Sequence, residues 1–232
     1  MSTGAIKAVA FDAYGTLFDV YSIGALAEAI FPGSGRALAE LWRDRQIDYT
    51  RIRTLSGCYA DFWAITADAL DYACKRLGLA LPDTARHRLL EQYAHLEPFA
   101  ENRGALQQLR GLGLSLAILS NGTPGMIASA VSAAGWDGFF DHILSADSVA
   151  KFKTAPEVYQ LGPDAFGCNA AEILFVSSNA WDACGAAWFG YTAFWVNRAG
   201  APLERLGVRP AGEGRTLDDV VSFARSRVAS QQ

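Results

Sequence analysis

"AIKAVAFDAYGTLFDV" (Ala5 to Val20) carries an apolar run, Ile6 to Phe11, that ends on a lone carboxylate, Asp12, and then reaches Gly15-Thr16. Such a run, bounded by turn residues, predicts a buried strand. Comparable runs recur at Leu114 to Leu119, Ile173 to Val176 and Thr192 to Val196, with a weaker one at His142 to Ser145. Helical patterns separate most of them: Arg103 to Arg110, Pro124 to Ala134, Pro156 to Phe166 and Asp182 to Phe189, two of them opened by proline. Strands alternating with helices predict an α/β fold whose core is a Rossmann-like, doubly wound parallel sheet.

The segment between Asp19 and Pro98 breaks this rhythm and shows only helical periodicity, at Ile23 to Phe31, Gly35 to Ile47, Tyr59 to Leu77 and Thr84 to Leu96. This predicts an inserted all-helical cap domain, residues 19–98, over a core made of residues 1–18 and 99–232. The tail "PAGEGRT" (Pro210 to Thr216) reads as a loop before a last amphipathic helix, Leu217 to Val228.

The 232 residues are 51% hydrophobic and 19% charged, a composition that buries a core and excludes disorder. A formal charge of −4 offers no global attraction to nucleic acid or to an anionic membrane. The expected partner is a small molecule. Met1 to Ala10 holds an apolar stretch too short for an export signal or a membrane span. Cys58, Cys74, Cys168 and Cys184 form no Cys-x-x-Cys pair and read as buried thiols of a cytoplasmic protein, without zinc or disulfides.

Ligands of open parallel sheets bind outside the carboxyl ends of the strands, and here those ends are polar. The first run ends in Asp12, the second in Ser120-Asn121, the fourth in Ser177, Ser178 and Asn179, with Asp182 a short step later, while "VAKFKTAPEVY" supplies Lys153. Singly, each has a plainer reading as a turn, a cap or a solvated charge. Asp19, before a helical pattern, is assigned to capping or to the hinge into the insert. His87, His95 and His142 read as surface or packing residues. Together, the strand ends converge on one crevice.

The order Asp12 with Gly15-Thr16, Ser120-Asn121, Lys153, then Asp182 resembles the four motifs of the haloacid dehalogenase superfamily and spans nearly the whole chain. Most members are magnesium-dependent phosphatases with a second aspartate two residues after the first; Tyr14 stands there in this chain. Within the superfamily, "DAYGT", "SNG", "FK", "SSN" before Asp182, "LWRDRQIDYTRIRTL" and "YADFW" resemble the 2-haloacid dehalogenases. The resemblance implies hydrolytic removal of halide from L-2-haloalkanoic acids through an aspartyl ester, inverting C2 to a D-2-hydroxy acid, with no metal and no other cofactor. It also implies a homodimer.

By the same resemblance Asp12 is the nucleophile and Lys153 its counter-charge, which suits a site that must bring a carboxylate to an anionic substrate. Thr16 braces Asp12. The substrate carboxylate falls to Ser120 and to backbone N–H groups around Ala13 and Tyr14; the halide falls to Arg43, Asn121 and Trp181. Tyr14, Ile47 and Phe62 form an apolar wall. Asp182, oriented by Lys153, Ser177 and Asn179, activates the hydrolytic water, with the Tyr159 hydroxyl near Lys153. Asp44 and Thr154 replace the glutamine and proline of close relatives, so an extra acid sits where it could draw Arg43 aside. A weak magnesium site through Asp12 and Asp182 is the basis of a phosphatase alternative; a non-catalytic binding protein of the same fold is a third reading.

Overall fold

The computed structural model describes residues 5–228; the first four residues of the segment read for an export signal, and the last four of the predicted core, lie outside it. In chain order the elements are β1 (Ala8–Phe11), α1 (Ile23–Ile30), α2 (Gly35–Ser56), α3 (Phe62–Arg76), α4 (Asp83–Ala94), α5 (Asn102–Gly111), β2 (Ser115–Ser120), α6 (Pro124–Ala133), β3 (His142–Ser145), α7 (Pro156–Phe166), β4 (Ile173–Ser177), α8 (Ala180–Phe189), β5 (Thr192–Val196), β6 (Gly212–Gly214) and α9 (Leu217–Val228). The six strands pair in the order β3-β2-β1-β4-β5-β6, all parallel. β1 therefore sits mid-sheet beside β4, at the point where the winding reverses and a crevice opens beyond the strand ends. All four residues of β1 are buried, as a strand covered on both faces requires.

Local chemistry sets the boundaries. Asp61 accepts Ala64 N–H at 2.8 Å to start α3, and Thr123 accepts Met126 N–H at 3.2 Å to start α6, which has Pro124 in its first turn. α2 runs nine residues past the expected Ile47 because no breaker intervenes until Gly57, whose φ of 67° stops it. Its outer end carries Ile52 and Leu55, both exposed. The predicted loop at Pro210 to Thr216 contains β6, recruited through backbone pairing with β5 although Gly-Glu-Gly has little strand propensity of its own.

The helical insert leaves and rejoins the core at adjacent points. Asp19 N–H donates to Glu97 O at 2.8 Å and Phe99 N–H to Leu17 O at 3.3 Å, so the two linkers lie side by side. Asp19 lies in the link into the insert and does not cap α1: its Oδ1 accepts Tyr21 N–H at 2.8 Å, and Ser22 precedes the helix. Further contacts tie the insert to the core near the strand ends. Phe152 N–H donates to Thr54 Oγ1 at 3.0 Å, Tyr59 donates to Asp147, and the Arg51 guanidinium lies 5.0 Å from the centre of the Trp181 ring. The four thiols are free, but Cys58 is exposed and Cys168 only half-buried, so the expectation of four buried cysteines fails at the solvent-facing end of α2 and in the loop after α7. No helix among the described residues is long and apolar enough to cross a membrane.

Candidate active site

Asp12 follows β1 directly, with its N–H donating to Val176 O of β4 at 2.9 Å, so its carboxylate projects from mid-sheet into the crevice. It is 6% exposed. Both oxygens are occupied: Oδ1 takes the Lys153 ammonium at 3.0 Å, and Oδ2 accepts from Thr16 Oγ1 at 3.0 Å and Asn179 Nδ2 at 2.9 Å. Thr16 is held in turn by Ser178, whose N–H donates to its Oγ1 at 2.8 Å. The carboxylate is thus oriented from three directions, as a group committed to one line of approach needs to be.

Lys153 and Asp182 are wholly buried, and Lys153 Nζ donates to Asp182 Oδ2 at 2.9 Å. Burial disfavours the ammonium, but Asp12 and Asp182 outweigh it and hold Lys153 above its ordinary 10.5. Burial is also the main influence on Asp182, pushing its carboxyl above the usual aspartate range against the opposing pull of Lys153. Tyr159 donates to Asp182 Oδ1 at 2.7 Å, on the same carboxylate whose Oδ2 takes Lys153. Ser177 and Asn179 do not orient the Asp182 carboxylate: Ser177 Oγ accepts Asn179 N–H at 3.1 Å, and the Asn179 amide turns to Asp12 and to Tyr14 O. Asp182 meets Asn179 only through the backbone, where its N–H donates to Asn179 O at the start of α8. The water-activating role was expected to rest on Lys153, Ser177 and Asn179; in the structure Lys153 and Tyr159 fix the carboxylate.

On the other side of Asp12, neither Ala13 nor Tyr14 N–H donates to any group among the described residues. Buried backbone donors without partners are uncommon, and two in succession beside a strand end form an anion cradle. The Ser120 hydroxyl accepts Gly122 N–H at 3.1 Å, which leaves its own proton to donate. Asn121 accepts Lys153 N–H on its Oδ1 at 2.9 Å, leaving its Nδ2 as the donor end.

From the insert, Arg43 reaches the site by donating to Tyr14 O at 3.1 Å. Asp44 is exposed and makes no ion pair with Arg43 among the described residues, so it does not draw the guanidinium aside: the two side chains leave α2 in different directions. Trp181 is half-buried, and its ring faces Arg51; no ring contact or hydrogen bond joins it to Arg43 or Asn121. Thr154 is exposed, with its methyl close to Gly185. Ile47 and Phe62 are buried, and the Phe62 ring centre lies 5.6 Å from that of Tyr14. The Tyr14 hydroxyl is buried and has no hydrogen-bond partner among the described residues. A cleft of about 350 Å³ opens beside this constellation between insert and core, bordered by Gly15, Arg43, Ser178, Asn179, Asn197 and Arg198.

The sequence reading assigned no role to Gln46, Tyr93 or Arg51, and it placed Ser178 at a strand end without its bond to Thr16. Gln46 had a legible signal: Leu38, Trp42, Gln46 and Thr50 repeat every four residues, so two polar side chains interrupt an apolar stripe. Where the phosphatase alternative would seat magnesium, between Asp12 and Asp182, the Lys153 ammonium stands between the two carboxylates.

The model of the haloacid dehalogenase-like hydrolase family matches residues 6–190. An (S)-2-haloacid dehalogenase of Pseudomonas sp. (strain YL) is 46% identical over 218 residues, 94% of each chain. The crystal structure of an L-2-haloacid dehalogenase superposes with a TM-score of 0.94 at 57% identity, covering 95% of this chain and 99% of that one. The L-2-haloacid dehalogenase from Xanthobacter autotrophicus, solved with chloropropionic acid covalently bound, gives 0.88 at 35% identity over 95% of this chain and 98% of its own. With six parallel strands wound about β1 and a helical insert reaching over Asp12, the chain belongs to the haloacid dehalogenase-like hydrolase family.

Proposed function

We propose that the chain is an (S)-2-haloacid dehalogenase, with residues 19–98 acting as a cap over a core of residues 1–18 and 99–232. The observation that carries the reading is the buried Asp12 carboxylate, oriented by Lys153, Thr16 and Asn179 and flanked by two unpaired backbone N–H groups. Ser120 and the Ala13 and Tyr14 N–H groups take the substrate carboxylate. Tyr14, Ile47 and Phe62 enclose the alkyl group. Asp12 attacks C2 in line with the carbon–halogen bond; an oxygen–carbon bond forms, and halide departs with the bonding pair toward Arg43, Asn121 and Trp181. Water then adds to Cγ of the Asp12 ester and yields its proton to Asp182, and collapse releases the D-2-hydroxy acid. A relative with a substrate acid bound covalently supports such an intermediate.

The donor set does not fit magnesium. Tyr14 stands where a phosphatase carries its second acid, Ser177 to Asn179 supply no carboxylate, and Lys153 already places a cation between Asp12 and Asp182. That misfit counts against the phosphatase alternative. A purely binding role leaves the buried Lys153–Asp182–Tyr159 array without a purpose. A homodimer in the cytoplasm completes the reading, and exposed Ile52 and Leu55 on α2 supply apolar surface for a partner copy.

The deciding experiment measures halide released from (S)-2-chloropropionate in the presence of a chelator, beside phosphate released from phosphomonoesters with magnesium. Chelator-resistant chloride release is expected. Phosphate release without chloride release would overturn the proposal. A single turnover in ¹⁸O-water is expected to place the label in Asp12.

A further inference from the structure

We infer that Gln46 is a positioning residue for Arg43, fixing which guanidinium N–H groups face the departing halide; the inference rests on the proposed halide role of Arg43. Gln46 is 0% exposed and lies one helical turn beyond Trp42 on the inner face of α2. Its Oε1 accepts from Arg43 Nη1 at 2.7 Å and from the Tyr93 hydroxyl at 3.0 Å, and its Nε2 donates to Thr66 Oγ1 at 2.7 Å. Thr66 donates onward to Phe62 O at 2.6 Å, which ties the chain of hydrogen bonds into α3.

A buried glutamine with its hydrogen bonds made could simply be a satisfied core residue, but its partners argue for more. Arg43 is only half-buried and carries a long, rotamer-rich side chain whose terminal nitrogens are tied at two points: Nη1 to Gln46 and Nη2 to Tyr14 O at 3.1 Å. Two fixed points define the plane of a guanidinium, so the protons left over point in set directions. Tyr14 O is a fixed backbone acceptor beside Asp12; Gln46 is therefore the adjustable one of the two. A neutral amide also orients the cation without cancelling its charge, as a carboxylate at the same place would.

Gln46→Met keeps the length of the side chain while removing its oxygen and both amide protons. With (S)-2-chloropropionate, ester formation in single turnovers is expected to fall about tenfold to a hundredfold, the range for losing one hydrogen bond to a charged group, while ester hydrolysis stays within about threefold of wild type. The loss should be larger for 2-chloro- than for 2-bromopropionate, because the poorer leaving group leans harder on its donors. A structural role alone would slow both steps alike and for both halogens. If Gln46→Met does not fold, Thr66→Val, which frees the Gln46 amide to rotate, carries the same test with a smaller effect in the same step. Halide release from wild type together with equal losses in both steps, or no loss, overturns this inference alone. No halide release from wild type overturns the dehalogenase proposal and this inference with it.

Discussion

The Lys153 ammonium donates to Asp182 Oδ2 at 2.9 Å where the two side chains are 1% and 0% exposed. Burial raises Asp182 above the ordinary 3.8. A carboxyl with a raised folded pKa adds stability below 3.8 and loses it as pH climbs to the higher value, yet it activates water only once ionised. Ester hydrolysis should therefore fail on acidification at a pH above 3.8. A single-turnover pH profile reads that limb, and Asp182→Asn should abolish it along with the step.

Lys153 behaves in the opposite sense at the alkaline end. Its pKa is raised above 10.5, so its contribution to stability is whole below 10.5 and is lost as pH rises through the higher folded value. Urea midpoints measured from pH 9 upward should hold through about pH 10.5 and then fall. Lys153→Met leaves two buried carboxylates without their cation; a stability loss of about 3–5 kcal/mol and a fall in halide release of about 10³-fold are expected.

Asp12→Ala should abolish halide release, since no other carboxylate replaces Asp12 at the end of β1. Asp182→Asn should instead release one equivalent of halide and stop, and intact-protein mass spectrometry should find the acid esterified to the chain. Full turnover by Asp12→Ala would remove the nucleophile assignment.

Gly122 touches the pocket wall: a Cβ there would lie 2.7 Å from the Tyr14 ring and 3.2 Å from its hydroxyl. Gly122→Ala is expected to cost about 1–3 kcal/mol by overpacking and to slow turnover by moving Tyr14. Gly125→Ala serves as its control, because a Cβ there meets nothing within 4 Å and α6 gains about 0.5–1 kcal/mol from replacing a helical glycine. Thermal melts of both variants decide the matter.

The Tyr14 hydroxyl is buried with no partner among the described residues, and burial pushes its ionisation well above the usual tyrosine range. Tyr14→Phe removes an unpaired polar group while keeping the ring that stacks on Tyr93 at 5.8 Å. Stability should stay level or rise by about 1 kcal/mol, as chemical denaturation will show.

The strand ends could be read because each follows an unbroken apolar run; Asp12, Ser120 and Ser177 announce themselves by contrast with what precedes them. Lys153 could be found from its place before a proline-started helix. What escaped depends on contacts between distant segments. Gly212 to Gly214 becomes a strand only because β5 offers it an edge, and nothing near Tyr159 in sequence shows that its hydroxyl holds the Asp182 carboxylate. Gln46 is marked in the sequence by the polar break in the apolar stripe of α2, but its partners are not: Arg43, Tyr93 and Thr66 lie on three separate helices.

The linkers at Asp19–Glu97 and Leu17–Phe99 pass through the fold as a neighbouring pair. Heredity can use such a doorway: a whole helical segment can be exchanged between lineages while both splice points stay in register with the sheet. Asp12 and Lys153 would be inherited with one part of the chain and Arg43 with the other. Chimeras joined at these two points would show whether the two halves of the chemistry can travel separately.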